Sequence, residues 1–153
     1  MNIKIRKADL DDLHQLLEFE QSIITSERPF DDRLRDSKVT YYDIKQLMTN
    51  EKSHLIVAEC AGELVGSGYA LLMKTEPCEK YDFFSYLGFM FVLPRYRRMG
   101  INKRIMDALI DWSKNRGVVD IRLEVFDENE TAVQAYEKFG FSKAIVNMRM
   151  VAS

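Results

Sequence analysis

The segment from residue 87 to residue 112 constrains the fold more than any other. An apolar run over 87–92 stops at Leu93-Pro94. A basic turn follows, Arg95-Tyr96-Arg97-Arg98-Met99-Gly100. Beyond it Ile105, Met106, Leu109, Ile110 and Trp112 recur at helical spacing. The pattern is a strand, a turn and a helix from about Asn102 to Asn115. The first amides of a helix lack internal partners, and the peptide dipoles add partial positive charge there, so an anion is accommodated without further machinery. Gly100 has no side chain to hold a phosphate away from the backbone. Arg97, Arg98, Lys103 and Arg104 add salt-sensitive attraction. Taken alone, the turn equally suits a solvated basic loop in which Gly100 serves only its backbone angles. It is neither a P-loop, because no Gly-Lys-Ser/Thr follows, nor a dinucleotide fingerprint, because only one glycine is present.

The flanking chain places this unit in a mixed α/β domain. Residues 3–6 alternate as a short strand. Asp9 reads as a helix cap, with Leu13, Leu16 and Leu17 giving a stripe that runs to about Ile24. Residues 25–40 read as a loop with a helical turn, and Tyr41, Ile44, Leu47 and Met48 as a helix. In this stretch Glu20, Glu27, Asp31, Asp32 and Asp36 are candidates to attract a cationic substrate, since loops over a rigid scaffold carry specificity. Residues 54–60 and 64–73, joined by Ala61-Gly62-Glu63, read as a hairpin. Residues 81–92 read as a long aromatic strand in which Gly88 marks a bulge or a close approach. Residues 120–126 alternate as a strand parallel to it. Asn129 caps a helix that Gly140 closes, and 141–151 reads as a last strand.

A chain of 153 residues, 46% hydrophobic, suits one folded domain spanning residues 1–153. A formal net charge of -2 argues against a dedicated nucleic-acid binder, and it makes the basic cluster at 95–104 stand out. No apolar run is long enough to span a membrane, and charges from Lys4 onward interrupt any signal-peptide pattern. Cys60 and Cys78, with His14 and His54, form no metal-ligand spacing. A reduced, cytoplasmic protein without metal or membrane partner is expected.

A second constellation is Asn129, Ala132, Tyr136, Gly140 and Phe141. Asn129 and Tyr136 stand two turns apart on one helix face. By themselves they are a cap and a core aromatic. Together with the basic turn, however, they make the chain resemble the GCN5-related N-acetyltransferase (GNAT) superfamily. Its cofactor motif, Arg/Gln-x-x-Gly-x-Gly/Ala, stands here as Arg97-Arg98-Met99-Gly100-Ile101-Asn102. Its later motif, Asn-x-x-Ala-x-x-x-Tyr-x-x-x-Gly-Phe, runs from Asn129 to Phe141. The departure is Asn102, a larger residue where the family carries Gly or Ala; it crowds the pyrophosphate or caps the helix.

The resemblance implies a GNAT-like fold: a central mixed sheet with splayed parallel strands, flanked by helices. It implies acetyl-CoA as co-substrate, its pantetheine arm on the backbone of Met90, Phe91 and Val92, and its pyrophosphate on the amides of Arg98, Met99, Gly100, Ile101, Asn102 and Lys103. Asn129 and Tyr136 would also contact the cofactor. The implied reaction is direct acetyl transfer to a primary amine in a ternary complex, with Tyr136 as general acid and Glu124 as a candidate base, and with Ser85 and Tyr86 as an alternative water relay. A small-molecule amine acceptor is expected. The alternatives are a protein N-terminus or lysine as acceptor, and a non-catalytic acyl-CoA-binding module. Dimers are common in the family, which leaves a homodimer open, although no feature of this sequence marks an interface.

Overall fold

Five strands form one sheet in sequence order, and the computed structural model describes residues 2–153. The strands are β1 (Ile3–Lys7), β2 (Ser53–Cys60), β3 (Glu63–Lys74), β4 (Phe83–Val92) and β5 (Ile121–Arg122). The first four pair antiparallel, and β4 pairs with β5 in parallel. The helices are α1 (Leu13–Glu27), α2 (Ile44–Thr49), α3 (Ile101–Asn115) and α4 (Glu130–Phe139). One face of the sheet buries Leu55, Val57, Tyr69, Phe89 and Phe91 against Leu16, Phe19 and Ile23 of α1 and Ile44 and Met48 of α2. The other buries Ile56, Ala58, Val65, Ala70 and Leu87 against Ile101, Ile105 and Leu109 of α3. Strands of a sheet covered on both faces read as near-continuous apolar runs, and β2 and β3 do so.

Local chemistry sets the element ends. Asp9 and Asp12 form a reciprocal capping box before α1, and Asp12 also takes a bidentate pair from Arg6 at 2.8 Å for each bond. Asp43, not Tyr41, starts α2, its side chain accepting from the Gln46 amide at 3.2 Å. The amides of Tyr41 and Tyr42 are accepted by Glu20, which ties this segment to α1 ahead of the helix. Gly117 and Gly140 follow α3 and α4 with positive φ, as expected.

The α3 helix lies close across β3. A Cβ on Gly68 would fall 2.7 Å from Ile105 Cγ2 and 2.9 Å from Met90 Sδ, so the backbone there must be bare. Gly88 has the same role on the opposite face, where a Cβ would meet the Tyr69 ring at 2.5 Å. Next to it Phe89 takes φ of +56°, and the β3–β4 register shifts between Ser67 and Tyr69. Two residues of β4 therefore oppose one of β3, a β-bulge, and Ser67 Oγ fastens it by donating to the Phe89 carbonyl at 2.9 Å.

Two expected strands are corrected. The strand over 120–126 forms only as β5, two residues long; the chain beyond Arg122 leaves the sheet. Residues 141–153 form no strand. Ile145 is 89% and Met148 90% exposed, and Arg149 reaches Asp31 at 3.1 Å. A strand needs a partner edge as well as alternation, and β5 offers an edge of only two residues.

Candidate active site

The β4–β5 ladder contains two pairs, Ser85 with Ile121 and Tyr86 with Arg122. From Leu87 on, β4 has no β5 partner, and the bulge at Phe89 follows within two residues. Bulges raise local twist, which turns β4 away from its parallel neighbour. The backbone of Met90, Phe91 and Val92 thus borders an open gap. Their β3 side is paired, Phe91 opposite Ser67 and Val92 opposite Gly66.

At the end of β4 the basic turn folds back. Arg97 Nε donates to the Val92 carbonyl at 2.9 Å, with its guanidinium over the Phe91 ring at 5.8 Å, so this arginine braces the turn. Arg95 pairs with Glu63, and Lys103 with Asp107 at 2.8 Å. Arg98 and Arg104 enter no ion pair among the described residues. Arg98 (φ +64°) and Gly100 (φ +78°) both adopt left-handed conformations. The amides of Arg98, Met99, Gly100, Ile101, Asn102 and Lys103 make no backbone hydrogen bond among the described residues; the helical ladder resumes with Arg104 donating to Gly100 at 3.1 Å. Nothing lies within 4 Å of a Cβ built on Gly100. Unpaired amides fronting open space, beside two unpaired arginines, fit a pyrophosphate. Gly100, not Asn102, occupies the cap position; Asn102 is the second helical residue and supplies no cap bond.

On α4, after the stretch that leaves the sheet, Tyr136 is half-buried. Its ring meets Phe141 edge-on at 6.1 Å, and burial, then the charge of Glu27, raises its hydroxyl above the ordinary tyrosine range. Asn129 caps α4, its side-chain oxygen accepting from the Ala132 amide at 3.3 Å.

An arc of tyrosines covers the α1 side. Tyr42 stacks on Phe89 (4.5 Å, 17°) and meets Tyr41 and Tyr69 edge-on; Tyr69 leads to Tyr86 at 6.3 Å. Glu20, fully buried on α1, holds the arc by accepting the amides of Tyr41 at 2.8 Å and Tyr42 at 2.7 Å. Carboxylates stand at both ends. Burial, then Glu27, raises the Tyr41 hydroxyl above the ordinary tyrosine range. Burial first, then Glu124, raises the Tyr86 hydroxyl, and burial chiefly raises that of Tyr42.

Several expected residues take other roles. Glu20 is a fully enclosed strut, so it does not attract substrate. Asp31 and Asp32 are paired with Arg149 and Arg33. Ser85 is buried against α3, accepting from Ser113 Oγ at 2.8 Å, and is no part of a relay in the gap. The tyrosine arc is only partly visible in sequence, because Tyr41 and Tyr42, Tyr69, and Tyr86 come from three separate segments.

The Acetyltransferase (GNAT) family model matches residues 10–141. N-alpha-acetyltransferase 30 of Schizosaccharomyces pombe is 36% identical over 58 residues, 38% of this chain and 39% of the relative, so the match spans well under half of either protein. Among solved structures, a mutant of the BH1408 protein from Bacillus halodurans superposes with a TM-score of 0.88 at 20% identity, covering 98% of this chain and 99% of that one. A predicted acetyltransferase with acetyl-CoA from Clostridium acetobutylicum gives 0.74 at 19% identity, covering 98% and 96%. At such identities the structures establish likeness of fold. The family match covers most of the chain, from the first turn of its first helical segment to the aromatic that seats Tyr136, and this protein belongs to the GNAT family of acetyltransferases.

Proposed function

We propose that the chain transfers the acetyl group of acetyl-CoA to the primary amine of a small cationic molecule. The observation that carries this reading is the run of unpartnered amides over 98–103 at the mouth of the β4–β5 gap, together with the half-buried Tyr136 of α4. Bound acetyl-CoA would supply an activated acetyl thioester. The amides of Arg98 to Lys103, with Arg98 and Arg104, would hold its pyrophosphate. The backbone of Met90, Phe91 and Val92 would hold its pantetheine arm, and backbone amides at the bulge would polarise the thioester carbonyl. Asn129 would keep α4 in place and so position Tyr136. Tyr136, its hydroxyl protonated at neutral pH, would give a proton to the departing sulfur. Glu124 and Glu27 are the carboxylates available to relieve the acceptor ammonium of its proton.

The arc of tyrosines between two carboxylates favours a cationic acceptor through ion pairing and attraction to ring faces. A peptide N-terminus is the second reading, supported by the similarity to a protein named as an N-alpha-acetyltransferase. A non-catalytic acyl-CoA module would not need the Tyr136 hydroxyl, which is held protonated by its surroundings.

Calorimetric titration with acetyl-CoA and free CoA, followed by thiol release against a diaminoalkane, neamine and an Ala-initiated peptide, tests the proposal. Binding with amine-dependent release is expected, strongest for a small amine. Binding without release would sink the enzyme reading, and no binding would sink the cofactor site.

A further inference from the structure

We infer that Ser67 is a positioning residue for acetyl transfer. It holds the Phe89 carbonyl on the β3 side of β4, and so aims the successive amides of Phe89 and Met90 into the β4–β5 gap to receive the thioester oxygen. The assignment rests on the acetyltransferase reading and names the residue that sets its oxyanion site. Ser67 lies within β3 and is fully buried, and its hydroxyl donates to the Phe89 carbonyl at 2.9 Å. Gly66 and Gly68 flank it. A Cβ on Gly66 would fall 2.8 Å from the Phe91 carbonyl oxygen, and one on Gly68 2.9 Å from Met90 Sδ, so β3 lies tight against the bulge at this point.

The backbone pairing fixes the direction of these amides. Along a strand, successive residues turn their N–H and C=O to opposite edges. Ser85 turns to β5, its amide donating to the Asp120 carbonyl at 2.8 Å, so Leu87 and then Phe89 follow it to that edge. Beyond the bulge the order is reversed. The Leu93 amide donates to the Val65 carbonyl of β3 at 2.8 Å, which sets Phe91 and Leu93 toward β3. The change of side falls on Phe89 and Met90, which together oppose Gly68. The Phe89 amide stays on the gap side, while the positive φ of that residue, +56°, goes with a carbonyl turned back to Ser67. Every peptide among the described residues is trans, and a trans N–H points away from its C=O, so the Met90 N–H points away from β3. Two successive amides therefore face the edge on which β4 has no partner beyond Tyr86. Successive N–H groups about a left-handed residue make a concavity for negative charge.

A left-handed residue other than glycine is costly and persists only where its surroundings hold it. Tyr42 holds the Phe89 ring by stacking, and Ser67 holds its carbonyl. In the transfer step the neutral amine nitrogen bonds to the thioester carbon, and the carbonyl π pair moves onto oxygen, where the Phe89 and Met90 amides stabilise it. That pair returns as the C–S bond breaks, the bonding electrons leaving with sulfur. Sulfur takes a proton from Tyr136, which regains one from the nitrogen, so the products are an amide and a free thiol. Ser67 touches none of these atoms. Its part is to fix the donors beforehand, since donors that need no reorganisation stabilise developing charge best.

The test is the infrared carbonyl stretch of acetyl-CoA, isotope-labelled at the thioester carbonyl, bound to wild type, Ser67→Ala and Ser67→Cys. Calorimetric affinities for acetyl-CoA and free CoA, and thiol release with the diaminoalkane, neamine and peptide probes, accompany it. Binding to wild type should lower the stretch from its value in solution, and Ser67→Ala should return it most of the way. Ser67→Ala should bind free CoA within a few-fold of wild type and lose any preference for acetyl-CoA over CoA. It should lower kcat about 100-fold while the amine KM stays within a few-fold. Ser67→Cys, similar in size with a weaker donor, should fall between the two. Wild-type stretch and kcat in Ser67→Ala, or in Ser67→Cys where the alanine variant does not fold, overturn the assignment. Equal losses of CoA and acetyl-CoA affinity overturn it too, because a bond that only holds the strands together would act on both. An unshifted stretch in wild type does the same. Wild type that lowers the stretch but releases thiol with no probe overturns the enzyme reading, and the stretch in the variants still decides whether Ser67 aims the amides. Wild type that does not bind acetyl-CoA overturns both.

Discussion

The ring of Tyr42 lies flat on the ring of Phe89, with centroids 4.5 Å apart and planes within 17° of parallel. This contact joins the loop that follows α1 to the bulge at which β4 parts from β5. The tyrosine arc and the point where β4 parts from β5 are therefore one packed unit. Four predictions test its parts and the ground on which it stands.

Gly100 sits at φ +78° in front of the unpaired amides, with open space around it. Gly100→Trp would fill that space with an indole. Acetyl-CoA binding, measured by calorimetry, should fall below detection, while circular dichroism and the melting temperature change little beyond a backbone cost of about 1 kcal/mol. Unchanged affinity would remove the phosphate seat.

Tyr136 holds its ring against Phe141 whether or not it carries a hydroxyl. Tyr136→Phe should leave acetyl-CoA affinity within a few-fold of wild type and lower kcat by about 100-fold. An undiminished rate would reduce Tyr136 to a packing residue.

Glu20 is fully buried, and one of its oxygens accepts two amides. Hydrogen bonds to a charged group contribute about 1.5–3 kcal/mol, and orphaning buried amides adds to the loss. Glu20→Ala should destabilise the fold by about 3 kcal/mol in urea denaturation and raise the amine KM more than it weakens acetyl-CoA binding, because it frees the tyrosine wall and leaves the basic turn alone. Equal effects on the two substrates would argue against a strut confined to the acceptor side.

The Arg6 hydrogen bonds hold the Asp12 carboxyl below the usual carboxylate range, against the opposing effect of burial. A carboxyl depressed in the folded state contributes stability that is complete above its unfolded pKa of about 3.9 and is lost as the pH falls through the lower folded value. The melting temperature of wild type should therefore exceed that of Asp12→Asn at pH 6, and the difference should shrink below about pH 4. A difference independent of pH would mean that Asp12 acts through shape alone.

Much of the molecule follows from local chemistry and is legible in order along the chain. Apolar stripes at helical spacing place α1, α3 and α4, Asp9 and Asn129 mark helix starts, and Gly117 and Gly140 mark helix stops. The basic turn and Gly100 mark a candidate anion seat, because a helix N-terminus needs no distant residue to bind a phosphate. Gly88 signals the bulge, since a bare residue inside an aromatic strand is there for a close neighbour, which proves to be the Tyr69 ring.

Tertiary structure decided the rest, and in each case the reason is a partner remote in sequence. Residues 120–126 and 141–151 alternate as strands do, yet a ladder needs a free edge at the right height, and the splay of β4 leaves β5 only two residues of it. Glu20 reads as one acid among many, and Tyr41 as the start of a helix, until packing buries the carboxylate and sets the amides of Tyr41 and Tyr42 against it. Burial gives an acid its chemistry, and burial belongs to the assembled fold, not to the order of residues along the chain.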